Sequence, residues 1–406
     1  MAEVFVHLTE SPARTRPAWA LWELGFRPFY LLATLWAALF IPLWALQLSA
    51  VFNEALIRNT SWHAHEMIFG YALAVIIGFL FTAGRNWSGH PTPSGRSLQF
   101  LAMLWLLARM AAFSPWVWLS FLLNLSVPWL AAWGLWRSLY AGHNRRNYFF
   151  VALLVVMGLA SACFHFSQMG WQPLQFEMGL HLDRGVPLAL DIVLLIVAIM
   201  MGRVVPMFSN NGIPGLQATR NPLIEKLAIG SILGLMVIDS LALQNIYAAT
   251  FVGGAFMVHG WRWYLWQPWK TWRNPMVWVL QGAYFWLLIF LALKAIAATG
   301  AIPSGPATHA LTVGLIGMVT LGMMTRTALG HTGNPIQATW VERAAFSALF
   351  LAASTRVFIP LAWPSLLIES ALLAAVLWSA AFALYLWRYT PLLVLNKPGI
   401  FKPQPV

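Results

Sequence analysis

The sequence predicts an all-α integral membrane bundle of about twelve transmembrane helices, and three observations predict it. Hydrophobic residues make up 60% of the 406-residue chain and charged ones only 9%, against roughly 25% charged in a soluble domain. Apolar runs such as Pro28 to Leu48, Met67 to Ala83 and Met276 to Ala298 recur along the whole chain, each near the roughly 20 residues that cross a bilayer as a helix. Lys and Arg gather on one side of the loops between those runs.

In order, Met1 to Trp22 carries charge but no apolar core with a small-residue cleavage site, so residues 1–23 read as a retained cytoplasmic tail. The first span is expected at 28–48. The second, at 64–84, opens on Trp62-His63-Ala64-His65-Glu66-Met67. Spans at 97–113, 116–136 and 146–169 follow, then a sixth at 186–206 that buries Asp191 and ends in Gly202-Arg203-Val204-Val205-Pro206. Three more are expected at 223–243, 247–266 and 276–298. The tenth, 307–329, begins near His309 and ends at Met324-Thr325-Arg326 with Gly330-His331-Thr332-Gly333-Asn334-Pro335, a glycine and proline turn. Spans at 341–361 and 366–387 close one transmembrane domain, 24–390, and 391–406 form a second cytoplasmic tail.

The net charge of +12 reads as topology, not as nucleic-acid binding. Of the 24 Lys and Arg, only Arg58, Arg109, Arg184, Lys294 and Arg356 fall on the minority side. Basic loops stay cytoplasmic, so both termini are expected inside and the number of spans even. Many of the 24 tryptophans, among them Trp62, Trp87, Trp116, Trp261, Trp269, Trp278 and Trp340, lie near helix ends as an interfacial belt would. With Cys163 the single cysteine, a multi-cysteine metal site is excluded.

That topology sorts the histidines by side. His63, His65, His165, His181 and His309 fall at the periplasmic face, and His90, His143, His259 and His331 toward the cytoplasm. Polar groups within a membrane mark functional sites or hydrogen-bond at the headgroup level, and imidazole suits iron, copper and zinc. His63 and His65 stand roughly 200° apart on a regular helix and cannot share one metal there, so two centres are expected. His165, two residues after Cys163, is a further metal candidate. Glu66 reads as an orienting carboxylate or a proton carrier, and Asp191 as a proton carrier or a structural hydrogen-bonder. Arg203, Arg326 and His331 read as topology residues, or as a cradle for a haem propionate or a quinol head group. Covalent-haem, metalloprotease and Walker motifs are missing from the sequence.

The motifs Leu24-Gly25-Phe26-Arg27-Pro28-Phe29, Trp62 to Gly70, Arg146-Asn147-Tyr148-Phe149-Phe150, Gly202 to Pro206, His309-Ala310-Leu311-Thr312-Val313-Gly314, Thr325-Arg326 and Gly330 to Gly333 together resemble the NnrS family over nearly the whole chain. The resemblance implies a twelve-helix protein of the bacterial inner membrane that carries haem b and copper and acts in nitric oxide metabolism and nitrosative stress. Matching positions are His63, His65, Glu66, Arg203, His309, Arg326 and His331. On this reading a nitric oxide reductase-like oxidoreductase, supplied by a quinol or another electron donor, is expected. A sensor or scavenger that binds nitric oxide without turnover and a transporter of a metal or small anion are the alternatives. The lack of an internal repeat counts against the transporter. Haem is expected on His65, which lies deeper than His63, with copper close by.

Overall fold

The computed structural model describes residues 19–51, 59–170 and 184–395. The expectations for both tails beyond these limits, for Arg58 and for His181 lie outside the described residues. What is described is helical, with one antiparallel bridge, Trp19 to Leu395, tying the two ends together.

Twelve long helical rods run through the described residues: α1 (Phe26–Leu48), α2 (Thr60–Ser88), α3 (Gly95–Ala112), α4 (Val117–Ala141), α5 (Tyr148–Gln168), α6 (Gly185–Gly212), α7 (Pro222–Ser240), α8 (Ile246–Leu265), α9 (Pro275–Ala298), α10 (Gly305–His331), α11 (Trp340–Ala362) and α12 (Leu367–Val394). Nine of them are long and apolar enough to cross a membrane; α3, α7 and α8 are the remaining three. The protein is therefore a multi-pass helical membrane protein. Their starts follow from local chemistry. Asn221 and Asn274 cap α7 and α9 just ahead of a proline at the first helical position, and Thr339 with Glu342 forms a capping box on α11.

Two expectations are corrected. The sixth helix does not end at Pro206 but continues to Gly212, and Pro391 likewise sits inside α12. Proline removes one backbone donor, and a packed membrane helix tolerates that loss. Trp62 is not an interfacial residue either. It is 1% exposed and donates from Nε1 to Gln168 Oε1 at 3.1 Å.

α2 and α10 form the centre of the bundle, most of each being buried, whereas α1, α4, α11 and α12 lie at its rim. α1 packs on α12, α12 on α11, and α4 on α5. Each central helix changes its winding just after a histidine: α2 becomes a π-helix over Glu66–Ala72, directly after His65, and α10 over Ala310–Gly317, directly after His309. Such π segments are rare and concentrate at functional sites. Glycine lets neighbours close on them, since a Cβ on Gly70 would lie 2.5 Å from Trp36 Nε1 and one on Gly314 2.5 Å from the Trp286 ring. Tyr71 and Thr320 join the two central helices hydroxyl to hydroxyl.

Candidate functional site

The first turns of α2 are regular α-helix over Thr60–His65, and the two imidazoles diverge as the 100° step per residue requires. His63 turns to α1, where its ring lies nearly parallel to Trp44 and Phe40 at centroid separations of 4.8 and 6.0 Å. His65 turns to α5. Its ring meets Phe164 at 4.5 Å, Phe69 at 4.7 Å and the His165 ring at 5.0 Å.

A chain of hydrogen bonds connects the two members of that second pair. His65 Nδ1 lies 3.0 Å from Glu66 Oε1, and Arg109 donates to Glu66 Oε2 at 2.6 Å. Arg109 also donates to Asn124, whose amide donates to the Ser120 carbonyl at 2.9 Å and its hydroxyl at 3.3 Å. Ser120 Oγ then reaches His165 Nε2 at 3.2 Å. The spacing of four residues puts Ser120 and Asn124 on one face of α4.

These contacts fix the protons. His165 Nδ1 lies 2.9 Å from the Ser161 carbonyl, which can only accept, so the proton is on Nδ1 and Nε2 presents its lone pair. His65 donates from Nδ1 to the Glu66 carboxylate, itself held by the Arg109 guanidinium. Its Nε2 lone pair is buried without a hydrogen-bond partner among the described residues. Buried polar atoms are almost always satisfied, and an imidazole oriented through Nδ1 by a carboxylate is how metal-ligating histidines are held.

The remaining expected residues divide into groups. His309 donates from Nδ1 to the Gly305 carbonyl at 2.8 Å. It shares a half-buried cluster with His63 and with Arg356 of α11, each within electrostatic reach of the others. His63 Nδ1 is buried there without a partner among the described residues. Asp191 is 5% exposed and faces Asp239 of α7. Arg203, Arg326 and His331 have separate neighbours. Arg203 donates to Asn147 at 2.9 Å and lies over Phe149 and Phe150. Arg326 donates to the Met276 carbonyl at 2.9 Å above the Phe208 ring, and His331 leans on Phe26. Among the described residues no three His, Cys, Asp or Glu side chains converge to hold an ion.

Arg109, Asn124, Ser120 and Arg356 escaped the sequence reading. Arg109 and Arg356 had been assigned to topology alone. A signal was available for Arg109, an arginine within the apolar run Leu104-Trp105-Leu106-Leu107-Ala108 to Ala112, where only a buried acid makes the charge tolerable.

No curated protein matches the chain. One family model does, NnrS protein, and its match spans residues 20–397, nearly all that is described. The chain belongs to the NnrS family.

Proposed function

We propose that this protein crosses the bacterial inner membrane twelve times, with both termini in the cytoplasm, and handles nitric oxide at two metal centres held by imidazole. Family membership points to a nitric-oxide-related membrane protein. The observation that carries the metal reading is the buried, partnerless Nε2 of His65, aimed by Glu66 and Arg109.

The donor chemistry distinguishes the two centres. Around His65 the ring centroids of Trp62, Phe69, Phe164 and His165 lie 4.5 to 5.4 Å away, too close for a macrocycle to enter between them. Two imidazoles suit copper, so His65 would hold it, and His165 would join once its Nε2 gives up the Ser120 hydroxyl at 3.2 Å. Haem b would ask the protein only for imidazole. His63 and His309 would supply it, with Arg356 beside them as the cation for a propionate. This reverses the depth argument for haem on His65, because packing outweighs depth. When bound, such metals would supply the affinity and redox chemistry toward nitric oxide, and the residues around them would orient the ligands and exclude water. Glu66 keeps the His65 proton on Nδ1, and the aromatic wall keeps the site dry. Nitric oxide is small, uncharged and lipid-soluble, so it enters through the bilayer. Reduction would draw electrons from a quinol or another donor.

The complete burial of His65 also favours a second reading, binding without turnover. Purified protein separates the two. Its optical spectrum and metal analysis should show haem b and copper, and nitric oxide added anaerobically should disappear catalytically only when a quinol is present. Stoichiometric uptake alone would leave the sensor or scavenger, and protein without either metal would end the metal reading. Reporters fused near Gly142 and after Lys397 should both report the cytoplasm, since both lie among concentrated basic residues. A periplasmic signal at either would overturn the topology.

A further inference from the structure

A second, partly buried polar unit lies at the end of the bundle where α2, α6 and α10 begin and where α7 and α9 finish. Lys294 of α9 donates to both oxygens of Asp239 of α7, at 2.6 and 2.8 Å. Asp191 of α6 comes within hydrogen-bonding reach of Asp239 and, among the described residues, keeps Oδ2 buried without a partner. Exposure falls along this line, from about a quarter for the Lys294 and Asp239 side chains to 5% for Asp191. One helical turn beyond Lys294, a cavity of about 380 Å³ opens between Gln244, Asn245, Ile246, Ala298, Thr299 and Gly300.

The charges decide what the unit holds. Two carboxyl groups hydrogen-bond only when one of them carries a proton. Asp239 faces the Lys294 ammonium and is the natural carboxylate, so the proton belongs to Asp191. The unit is then neutral, whereas with both acids ionised it would bury one net negative charge. Among the described residues, Asp239 and Lys294 are the charged groups whose fields reach Asp191.

We propose that Asp191, Asp239 and Lys294 form a proton-exchange unit that loads from water in the cavity at this end of the bundle. The Asp191 O–H bond breaks as its proton passes to Asp239 and on to cavity water. A proton from water restores it by the same route, and no electron moves. This rests on the reading of Asp191 as a proton carrier, but it needs neither metal nor nitric oxide.

The test is infrared spectroscopy of the full chain in lipid nanodiscs, with carbon-13 aspartate separating aspartic from glutamic carboxyls. One protonated aspartic carbonyl stretch should be present, should vanish in Asp191→Asn, and should shift to the deuterated position within the mixing time in D2O. Lys294→Met strips Asp239 of its cation, so a second protonated aspartic band should appear. Thr299→Trp fills the cavity and should slow the deuterium shift at least tenfold. A band that survives Asp191→Asn, or one that stays unexchanged for hours in the unmodified protein, overturns the proposal, since a purely structural pair would hold its proton. Unchanged exchange in Thr299→Trp overturns the cavity as the entry. Failure of nitric oxide consumption with these bands intact would fault the metal reading alone.

Discussion

His65 and His259 are both fully buried beside an Arg–Glu pair and aromatic rings, yet among the described residues only His259 has both ring nitrogens hydrogen-bonded. His259 of α8 meets the Tyr284 hydroxyl at 2.6 Å through Nδ1 and Ser231 Oγ at 3.3 Å through Nε2. Beside it, Arg262 places Nε and a terminal nitrogen on Glu225 at 3.0 and 2.6 Å and the other on the Ala198 carbonyl at 3.1 Å. His65 has the same wrapping and one nitrogen without a partner. An unsatisfied buried polar group costs roughly 1–3 kcal/mol. On the reading proposed above, His259, with both nitrogens satisfied, is a strut, and the bare nitrogen of His65 marks a candidate ligand.

The largest effect should come from the strut. Arg262→Met leaves Glu225 facing an apolar side chain, but Glu225 is 17% exposed and keeps Arg220 at 3.7 Å, so the cost falls below the about 3–5 kcal/mol of breaking a fully buried pair from one side. Thermal unfolding in detergent should fall accordingly, while metal content per folded molecule stays unchanged. An unchanged unfolding temperature, or a selective loss of metal, would erase the distinction between the two regions.

Substitutions at the imidazoles test the other side of it. His65→Ala should lose copper and keep the haem Soret band, and His63→Ala should do the reverse, because the two rings face different helices. His259→Ala should keep both. If the first two variants lose the same single metal, one centre spans both histidines. A smaller effect is expected for Glu66→Gln, which keeps an acceptor for His65 but removes the charge that Arg109 and the imidazole share. Loss of such an orienting carboxylate typically weakens metal binding 10–100-fold, and chelator competition would measure it. Affinity equal to the unmodified protein would leave Glu66 as a partner for Arg109 only.

The fold was largely legible because the bilayer imposes it: apolar length and the distribution of Lys and Arg located every rod within a few residues. The ends resisted where proline seemed to punctuate, as at Pro206, since tertiary packing decides whether a helix survives the loss of one donor. The divergence of His63 and His65 was legible from helix geometry alone. The pairing of His65 with His165 was not, because 100 residues separate them and no local pattern records which helices touch. Arg109 was obscured for a different reason. The rule that assigns basic residues to loops took it for a boundary mark, although it lies buried against Glu66. Asp239, near the end of α7, reads in sequence only as an acid reaching for water, and the approach of Asp191 and Lys294 gives it another role.

The smallest effect tests how the π segment of α2 sets the site. A Cβ on Gly70 would lie 2.5 Å from Trp36 Nε1 and 3.0 Å from an Arg109 terminal nitrogen. Neither neighbour yields easily: Trp36 stacks on Phe40 at 5.0 Å, and Arg109 is held by Glu66 and Asn124. Gly70→Ala should therefore push in two directions, through Arg109 and Glu66 toward His65, and through Trp36 and Phe40 toward His63, on which Phe40 stacks. Overpacking of this kind costs about 1 kcal/mol at the low end, too little to unfold the bundle but enough to tilt both imidazoles. The expected result is a shift in the haem and copper bands with both metals retained. Gly260→Ala on α8, where an added Cβ meets nothing within 4 Å, is the control and should leave the spectra alone. If Gly70→Ala behaves like that control, the close approach at the π segment does not fix the imidazoles, and the orientation of His65 rests on Glu66 alone.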